Sequence, residues 1–185
     1  MADHFLAETR SLLVRTPRVL RDLLGDLPET WLQGRDTPAG WRPRDVVGHL
    51  ISAELDAWMP RVKIILEHGT DRPFDRFERF AMLERDKGVP LAQLLDRFDR
   101  LRATSLGEFD ERITDADLER VGRHPDPKLG DVTLRNLLAT WAVHDLDHSS
   151  QIFAGLSAAF DETVGPWKQY LGILLRREDP SAVPG

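Results

Sequence analysis

Four stretches of the chain carry apolar residues at three- and four-residue intervals, the spacing that places side chains on one face of an α-helix. The first predicted helix covers residues 4–25, and its apolar face continues to Leu27. Pro17 interrupts this stretch. The pair Thr16-Pro17 is consistent with a kink or with the cap and first turn of a new helix. The apolar positions are Leu13, Leu20, Leu23, Leu24 and Leu27.

The second predicted helix opens at residues 41–45 and ends near His68-Gly69. Pro43 suits a first-turn position, where its missing N–H is not needed. Pro60 predicts a kink after Met59, because proline removes one backbone hydrogen bond and clashes with the preceding turn. The inward face of this helix carries Val46, Leu50, Ala53, Ala57 and Ile64, with His49 beside them.

The third and fourth predicted helices are the longest regular stretches. Val89-Pro90 precedes the third, in which apolar residues recur with helical period from Leu91 to Leu101. Thr133 is a suitable N-cap for the fourth, which covers residues 134 to about 155. A final helix is predicted from Pro166 to Arg177.

The connecting segments are rich in proline, glycine and charge. Residues 70–89 predict a short helix or a loop packed by its phenylalanines, and residues 107–131 an irregular link with a helical turn at 115–118. Strand-like alternation is almost absent. The pattern therefore predicts an all-α protein, a four-helix bundle with long loops and additional short helices, in one domain over residues 1–185.

Two histidines on the fourth helix form the most informative motif in the chain. His144 and His148 are four residues apart, so their rings lie on one helix face, one turn from each other. The apolar stripe of this helix, extended from Trp141, reaches His144 or Asp145 and then His148. Both imidazoles are therefore expected to point inward, where an unpaired polar ring is costly.

His49 is the best candidate for a third ligand, because it lies on another inward-facing helix. Three neutral imidazoles with an open position are typical of catalytic zinc-type sites, whereas structural zinc has four protein ligands. The chain has no cysteine, so a metal would need His, Asp or Glu ligands. The alternative is that the histidines are core residues whose rings are hydrogen-bonded locally.

Three polar residues near the histidines are candidates for supporting roles. Asp145 could orient an imidazole through its second nitrogen, and Asp45, one turn before His49, could do the same. Solvent exposure is the alternative for Asp145, and complementing the helix dipole is the alternative for Asp45. Gln151, one turn after His148, could hydrogen-bond a metal-bound water or could be a satisfied polar group of the bundle.

Charge and composition limit the function classes. The formal net charge of −6 argues against a general nucleic-acid binder, because phosphate neutralisation needs a clustered basic surface. No apolar run approaches the roughly 20 residues of a membrane span, and residues 1–8 lack the features of a secretory signal. The expectation is a cytoplasmic protein that binds neither nucleic acid nor membrane.

The residues around both histidine positions resemble those of the DinB-like superfamily. The resemblance is carried by Trp41, Pro43, Asp45 and the run from Val46 to Leu50, then Glu54 and Trp58. It continues in the series from Leu134 through Trp141, His144, Asp145 and His148 to Gln151 and Ile152. This superfamily includes DNA-damage-inducible DinB proteins, YfiT-like metal-dependent hydrolases, and transferases that use bacillithiol or mycothiol.

The resemblance implies a four-helix bundle with a long crossover and a metal site at His49, His144 and His148. It also implies zinc or nickel as the metal, a homodimer, and a small-molecule substrate. In some members a low-molecular-weight thiol is the cofactor, and its pKa falls on the metal.

Two functional hypotheses follow from the sequence. The first is a divalent-metal-dependent enzyme that transfers a thiol or hydrolyses a small substrate, with the arginines of residues 72–85 either recognising a carboxylate or forming solvated surface. The alternative is a non-catalytic metal-binding or stress-associated bundle.

Overall fold

The computed structural model describes residues 4–175, which are mainly helical. The helices of this part of the chain are α1 (Phe5–Leu13), α2 (Thr16–Leu24), α3 (Glu29–Leu32), α4 (Pro43–Asp56), α5 (Trp58–His68), α6 (Ala81–Arg85), α7 (Leu91–Arg112), α8 (Leu134–Ala158) and α9 (Gly172–Leu175). Short 3-10 helices cover Asp115–Asp117 and Gly165–Tyr170, and two short strands, β1 (Val121–Arg123) and β2 (Asp131–Thr133), form an antiparallel pair.

A four-helix bundle organises these elements, as the sequence predicts. Its four positions are occupied by α1 with α2, by α4 with α5, by α7 and by α8. α4 packs on both α7 and α8, while α1 packs on α8 and α2 on α7. Within residues 4–175 no helix is long and apolar enough to cross a membrane.

The first two predicted helices are each divided in the structure. The stretch 4–25 is not continuous: α1 ends at Leu13, and α2 begins at Thr16 with Pro17 in its first turn. Thr16-Pro17 therefore starts a new helix and does not kink a continuous one. The cap position is occupied by Arg15 and not by Thr16, and Arg15 makes no side-chain cap hydrogen bond. In the second stretch the break falls at Ala57, not after Met59. Pro60 explains the shift, because its ring would clash with the carbonyl of residue 56, one turn earlier.

The segment between α7 and α8 differs from the prediction. α7 continues to Arg112, and β1 pairs with β2 from Val121↔Thr133 to Arg123↔Asp131. Strands of three residues are too short to show alternation in sequence, which is why this hairpin was not predicted. The predicted helical turn at 115–118 is present as the 3-10 turn Asp115–Asp117.

The start of α8 confirms the predicted cap. Thr133 Oγ1 accepts a hydrogen bond from the Asn136 N–H at 3.1 Å, and Asn136 Oδ1 accepts one from the Thr133 N–H at 3.0 Å. α8 extends to Ala158, slightly beyond the predicted end. The predicted final helix is replaced by the 3-10 turn and α9, and its last two residues lie outside the described part.

Buried apolar side chains of residues 4–175 form two clusters. One joins α1, α5, the end of α7 and the start of α8, and includes Trp58 and Trp141. The other joins α2, α4, the start of α7 and the end of α8, and includes Trp41. Polar side chains of α4 and α8 lie where the two clusters meet.

Candidate metal centre

His49, His144 and His148 converge where α4 packs on α8. One ring nitrogen from each histidine lies within 4.8 Å of the other two. Nε2 of His49 is 3.2 Å from Nε2 of His144, and the ring centroid of His148 is 4.5 Å from that of His49 and 4.3 Å from that of His144. The structure therefore brings together all three histidines that the sequence indicates.

The separation of these nitrogens suits a shared ion. Tetrahedral zinc with Zn–N bonds of 2.0–2.1 Å places its ligand nitrogens about 3.3–3.4 Å apart. The His49–His144 distance of 3.2 Å is close to that value. Nδ1 of both rings is buried without a hydrogen-bond partner among the described residues. Each ring therefore has one nitrogen without the hydrogen bond that a satisfied core histidine would form.

Burial keeps the imidazoles neutral, which is the form that binds metal. Burial, followed by the charge of His148, lowers the pKa of His49 to about 3. Burial and the two neighbouring histidines lower the pKa of His144 to about 2. The pKa of His148 is also lowered, mainly by burial, although its hydrogen bond with Gln151 opposes the shift.

Gln151 orients the ring of His148. His148 Nδ1 donates a hydrogen bond to Gln151 Oε1 at 2.8 Å, and Gln151 Nε2 donates one to Asp36 Oδ2 at 2.8 Å. With Nδ1 engaged, Nε2 of His148 is left unprotonated and available to an ion. Gln151 thus contacts a candidate ligand directly. The sequence does not indicate Asp36 as a site residue, because it lies in a loop that is 115 positions from Gln151 along the chain.

The loop that carries Asp36 and Trp41 is held tightly against α8. A Cβ on Gly34 would lie 2.0 Å from the carbonyl oxygen of Gly155, so this close backbone approach requires glycine at position 34. The Trp41 ring lies 4.8 Å from that of His49 and is stacked 6.2 Å from that of His148.

Asp45 and Asp145 form no hydrogen bond with the imidazoles. Asp45 accepts hydrogen bonds from the backbone and side chain of Arg42 and so caps the start of α4. This agrees with the alternative in which Asp45 complements the helix dipole and does not orient His49. Asp145 is neither exposed nor bound to a histidine: it is fully buried and paired with Arg102 at 2.6 Å. Arg102 also binds Glu54 at 2.8 Å and the carbonyl of Leu13.

This buried network was not predicted from the sequence. Arg102 is buried on the inward face of α7, where the helical spacing of apolar residues predicts a purely apolar surface. Burial raises the pKa of Glu54, although the charge of Arg102 opposes that shift. One sequence feature could indicate this network: three charged residues occupy inward positions of three predicted helices. These residues are Glu54, Arg102 and Asp145.

The arginines between residues 72 and 85 have different environments. Arg72 binds Asp75 on the surface, and Arg85 binds Asp86 and the carbonyl of Gly48. Arg79 instead lies against the cluster region, with its guanidinium 5.2 Å from the centroid of the Trp41 ring.

The fold and the cluster together define a helical-bundle protein with a three-histidine site between two of its bundle helices. The chain belongs to the DinB superfamily, whose family model matches residues 12–152. This confirms the resemblance seen in the sequence.

Two individual proteins are similar to this chain. A protein of Oceanobacillus iheyensis, whose name assigns it provisionally to the metal-dependent hydrolases, is 24% identical over 138 residues, which cover 74% of this chain and 77% of that protein. YfiT from Bacillus subtilis, described as a probable metal-dependent hydrolase with an unusual four-helix bundle topology, matches with a TM-score of 0.73 and 23% identity over 85% of this chain and 88% of its own. The structural likeness confirms the bundle fold.

Proposed function

We propose that this protein is a divalent-metal-dependent enzyme that binds a transition metal through His49, His144 and His148 and acts on a small-molecule substrate. The observation that carries the proposal is the convergence of three ring nitrogens within 4.8 Å in a buried setting. Imidazole nitrogen suits zinc and nickel, and the chain has no cysteine that would compete as a ligand. The family relatives named as metal-dependent hydrolases support the same reading.

Hydrolysis is the reaction that we propose first. His49, His144 and His148 would hold the ion, which would supply an open position and lower the pKa of a water or thiol bound there. The protein's own side chains supply the surroundings: Gln151 fixes the ring of His148, while Trp41 and Phe77 pack against His49 and exclude solvent from it. A dry site strengthens the electrostatic interactions within it.

Thiol S-transfer is the second reaction that this donor set supports. Because the chain has no cysteine, the thiol would be a low-molecular-weight cofactor. A non-catalytic, metal-binding or stress-associated bundle is the alternative from another class. A fourth protein ligand would favour this alternative, whereas the ligand group found among the described residues consists of three histidines.

Self-association as a homodimer belongs to the same proposal. Val143, Leu146 and Phe153 are exposed on the outer face of α8, opposite the histidines. Contiguous exposed apolar side chains favour association. A cytoplasmic location and the lack of a nucleic-acid partner stay predictions.

Elemental analysis of protein purified without a metal-chelate column tests the metal site. We expect about one equivalent of metal in the wild type and a large loss in His49→Ala, His144→Ala and His148→Ala, because each substitution removes one of three ligands. His68→Ala, an exposed histidine at the end of α5, is the matched control and should retain the metal. Circular dichroism verifies that each variant folds.

Two outcomes separate the hypotheses. A wild-type protein that holds no metal and takes up neither zinc nor nickel on titration contradicts the proposal. In the cobalt-loaded protein, a visible spectrum that changes on adding a small thiol or anion indicates an open position and supports an enzyme. A spectrum that is insensitive to both indicates a closed site and favours the non-catalytic alternative.

A further inference from the structure

Arg61 lies beside the histidine cluster, on the side formed by α5. It is one turn after Trp58, whose ring contacts that of His144 at a centroid distance of 5.0 Å. Its guanidinium lies over the Phe74 ring, 5.6 Å from the centroid. Arg61 therefore lies on the helix that lines the cluster, with its guanidinium against Phe74 of the segment after α5, and its charge lowers the pKa of both His144 and His124.

The guanidinium of Arg61 is partly buried and has no acidic partner. Its Nε is buried without a hydrogen bond, and no ion pair is formed by its side chain within residues 4–175. Burial lowers the pKa of Arg61, but an arginine still keeps its charge in a protein. A buried N–H without an acceptor is costly, so the Nε position of Arg61 is destabilising unless something else supplies the acceptor.

Other arginines that are half-buried or buried show that this arrangement is unusual among the described residues. Arg42 binds Asp45, Arg85 binds Asp86, and Arg102 binds two carboxylates. The chain has 31 acidic residues and 25 lysines and arginines, so carboxylates are in excess. A shortage of acidic side chains does not explain why Arg61 lacks one.

A second guanidinium faces the cluster from the opposite loop. Arg79 lies over the rings of Trp41 and Phe80, and its side chain forms no hydrogen bond or ion pair within the described residues. The charges of Arg61 and Arg79 both act on the cluster, the first on His144 and the second on His49 and His148. Two guanidinium groups without acidic partners in the described part of the chain thus act on the three histidines, although the carboxylates of Asp147 and Asp145 act on His148 with the opposite sign.

We propose that Arg61 determines substrate specificity by binding a carboxylate of a small substrate whose reacting group lies at the histidine cluster. A planar guanidinium with free donors matches a carboxylate in two parallel hydrogen bonds, and partial burial strengthens such a pair. Arg79, which is exposed, contributes to the attraction of the anion without fixing its position. This inference rests on the proposed function, because the reacting group needs the metal site.

Two thiols of similar length test the proposal in the cobalt-loaded protein. 3-Mercaptopropionate carries a carboxylate, and 3-mercapto-1-propanol carries a hydroxyl in its place. Sulfur suits cobalt and zinc, so binding of either probe is read from the thiolate-to-cobalt absorption band rather than from activity. We expect the acid to bind the wild type about tenfold more tightly than the alcohol, a typical gain for one charge-assisted pair.

Substitution of Arg61 isolates its contribution. In Arg61→Gln the acid should bind no more tightly than the alcohol, while the affinity for the alcohol stays unchanged. Arg61→Lys keeps the charge but not the two parallel donors, so part of the preference should return. Arg18→Gln removes an exposed arginine of α2 and is the matched control, in which the full preference remains.

The outcomes distinguish this inference from the metal proposal. Suppose that the protein binds cobalt but the wild type binds the two thiols equally tightly, or that Arg61→Gln still prefers the acid. Either result overturns the role of Arg61 and leaves the metal site standing. A protein that binds no cobalt overturns both. A preference for the acid that disappears in Arg61→Gln alone supports both.

Discussion

Gln151 shows how a single side chain fixes the candidate site. It accepts a hydrogen bond from His148 Nδ1 and donates one to Asp36, so the ring of His148 is tied to the loop before α4. A histidine that binds metal through one nitrogen is usually oriented through the other, and losing that partner typically weakens metal affinity by about 10–100-fold.

Gln151→Leu should therefore weaken zinc binding by about tenfold while leaving the helical content unchanged. Leucine has a similar size but cannot accept the hydrogen bond, so the ring of His148 can turn and Nδ1 loses its acceptor. Competition with a chromophoric chelator measures the affinity. Gln93→Leu, at an exposed position of α7, is the control and should bind zinc as the wild type does. Equal affinities in both variants would show that Gln151 does not support the site.

Sequence patterns predict the site residues unevenly, and the reason is physical. His49, His144 and His148 are recognisable because each lies at an inward position of a periodic helix, where a polar ring needs an explanation. Asp36 and Arg61 are not recognisable from the sequence. The contact of Asp36 with Gln151 and the lack of an acidic partner for Arg61 among the described residues are properties of the packed structure.

Four bundle elements are joined by one buried ion network. Arg102 of α7 binds Glu54 of α4, Asp145 of α8 and the last carbonyl of α1, and all three charged side chains are almost completely buried. Glu54 and Asp145 share one guanidinium. The pKa of Glu54 is raised, mainly by burial and further by the charge of Asp145, although Arg102 opposes the shift. The network connects the same two helices that carry the histidines.

Arg102→Met should lower the free energy of unfolding by about 3–5 kcal/mol, because it leaves two buried carboxylates without their partner. Urea unfolding at neutral pH provides the measurement. Arg100→Met, an exposed position on the same helix, should change stability by less than about 0.5 kcal/mol. If both variants unfold at the same urea concentration, the network does not hold the helices together.

At the level of elements, long helices are easier to predict than their interruptions. α7 and α8 begin where the sequence indicates, because a proline or a capping threonine marks their first turn. The sequence predicts a kink after Met59, whereas the break lies at Ala57, because proline acts on the carbonyl four residues before it. The β1–β2 hairpin was missed because three-residue strands carry too little pattern.

The whole molecule should lose stability in mild acid when it is free of metal. The pKa of His49 is about 3 and that of His144 about 2 in the folded protein, against an ordinary value of 6.5. Between those values the unfolded chain binds more protons than the folded one, so stability falls as the pH falls. Each histidine contributes at most about 1.4 kcal/mol per pH unit.

Urea unfolding of the metal-free protein between pH 7 and pH 5 checks this expectation. The double variant His49→Gln, His144→Gln removes both groups and should show a shallower decline than the wild type over this range. Parallel curves for the two proteins would mean that the histidines are not buried in neutral form.

The distance along the chain between the two halves of the histidine cluster has a consequence for biosynthesis. His49 and His144 are 95 positions apart, and His148 lies further still. A growing chain on the ribosome presents a single imidazole of the three until α8 has emerged, and the rings meet only when α8 has packed on α4. Closing a loop of this length costs conformational entropy, which slows the pairing of the two helices. The complete group of three imidazoles is thus available to an ion only after α8 has been synthesised and has packed on α4.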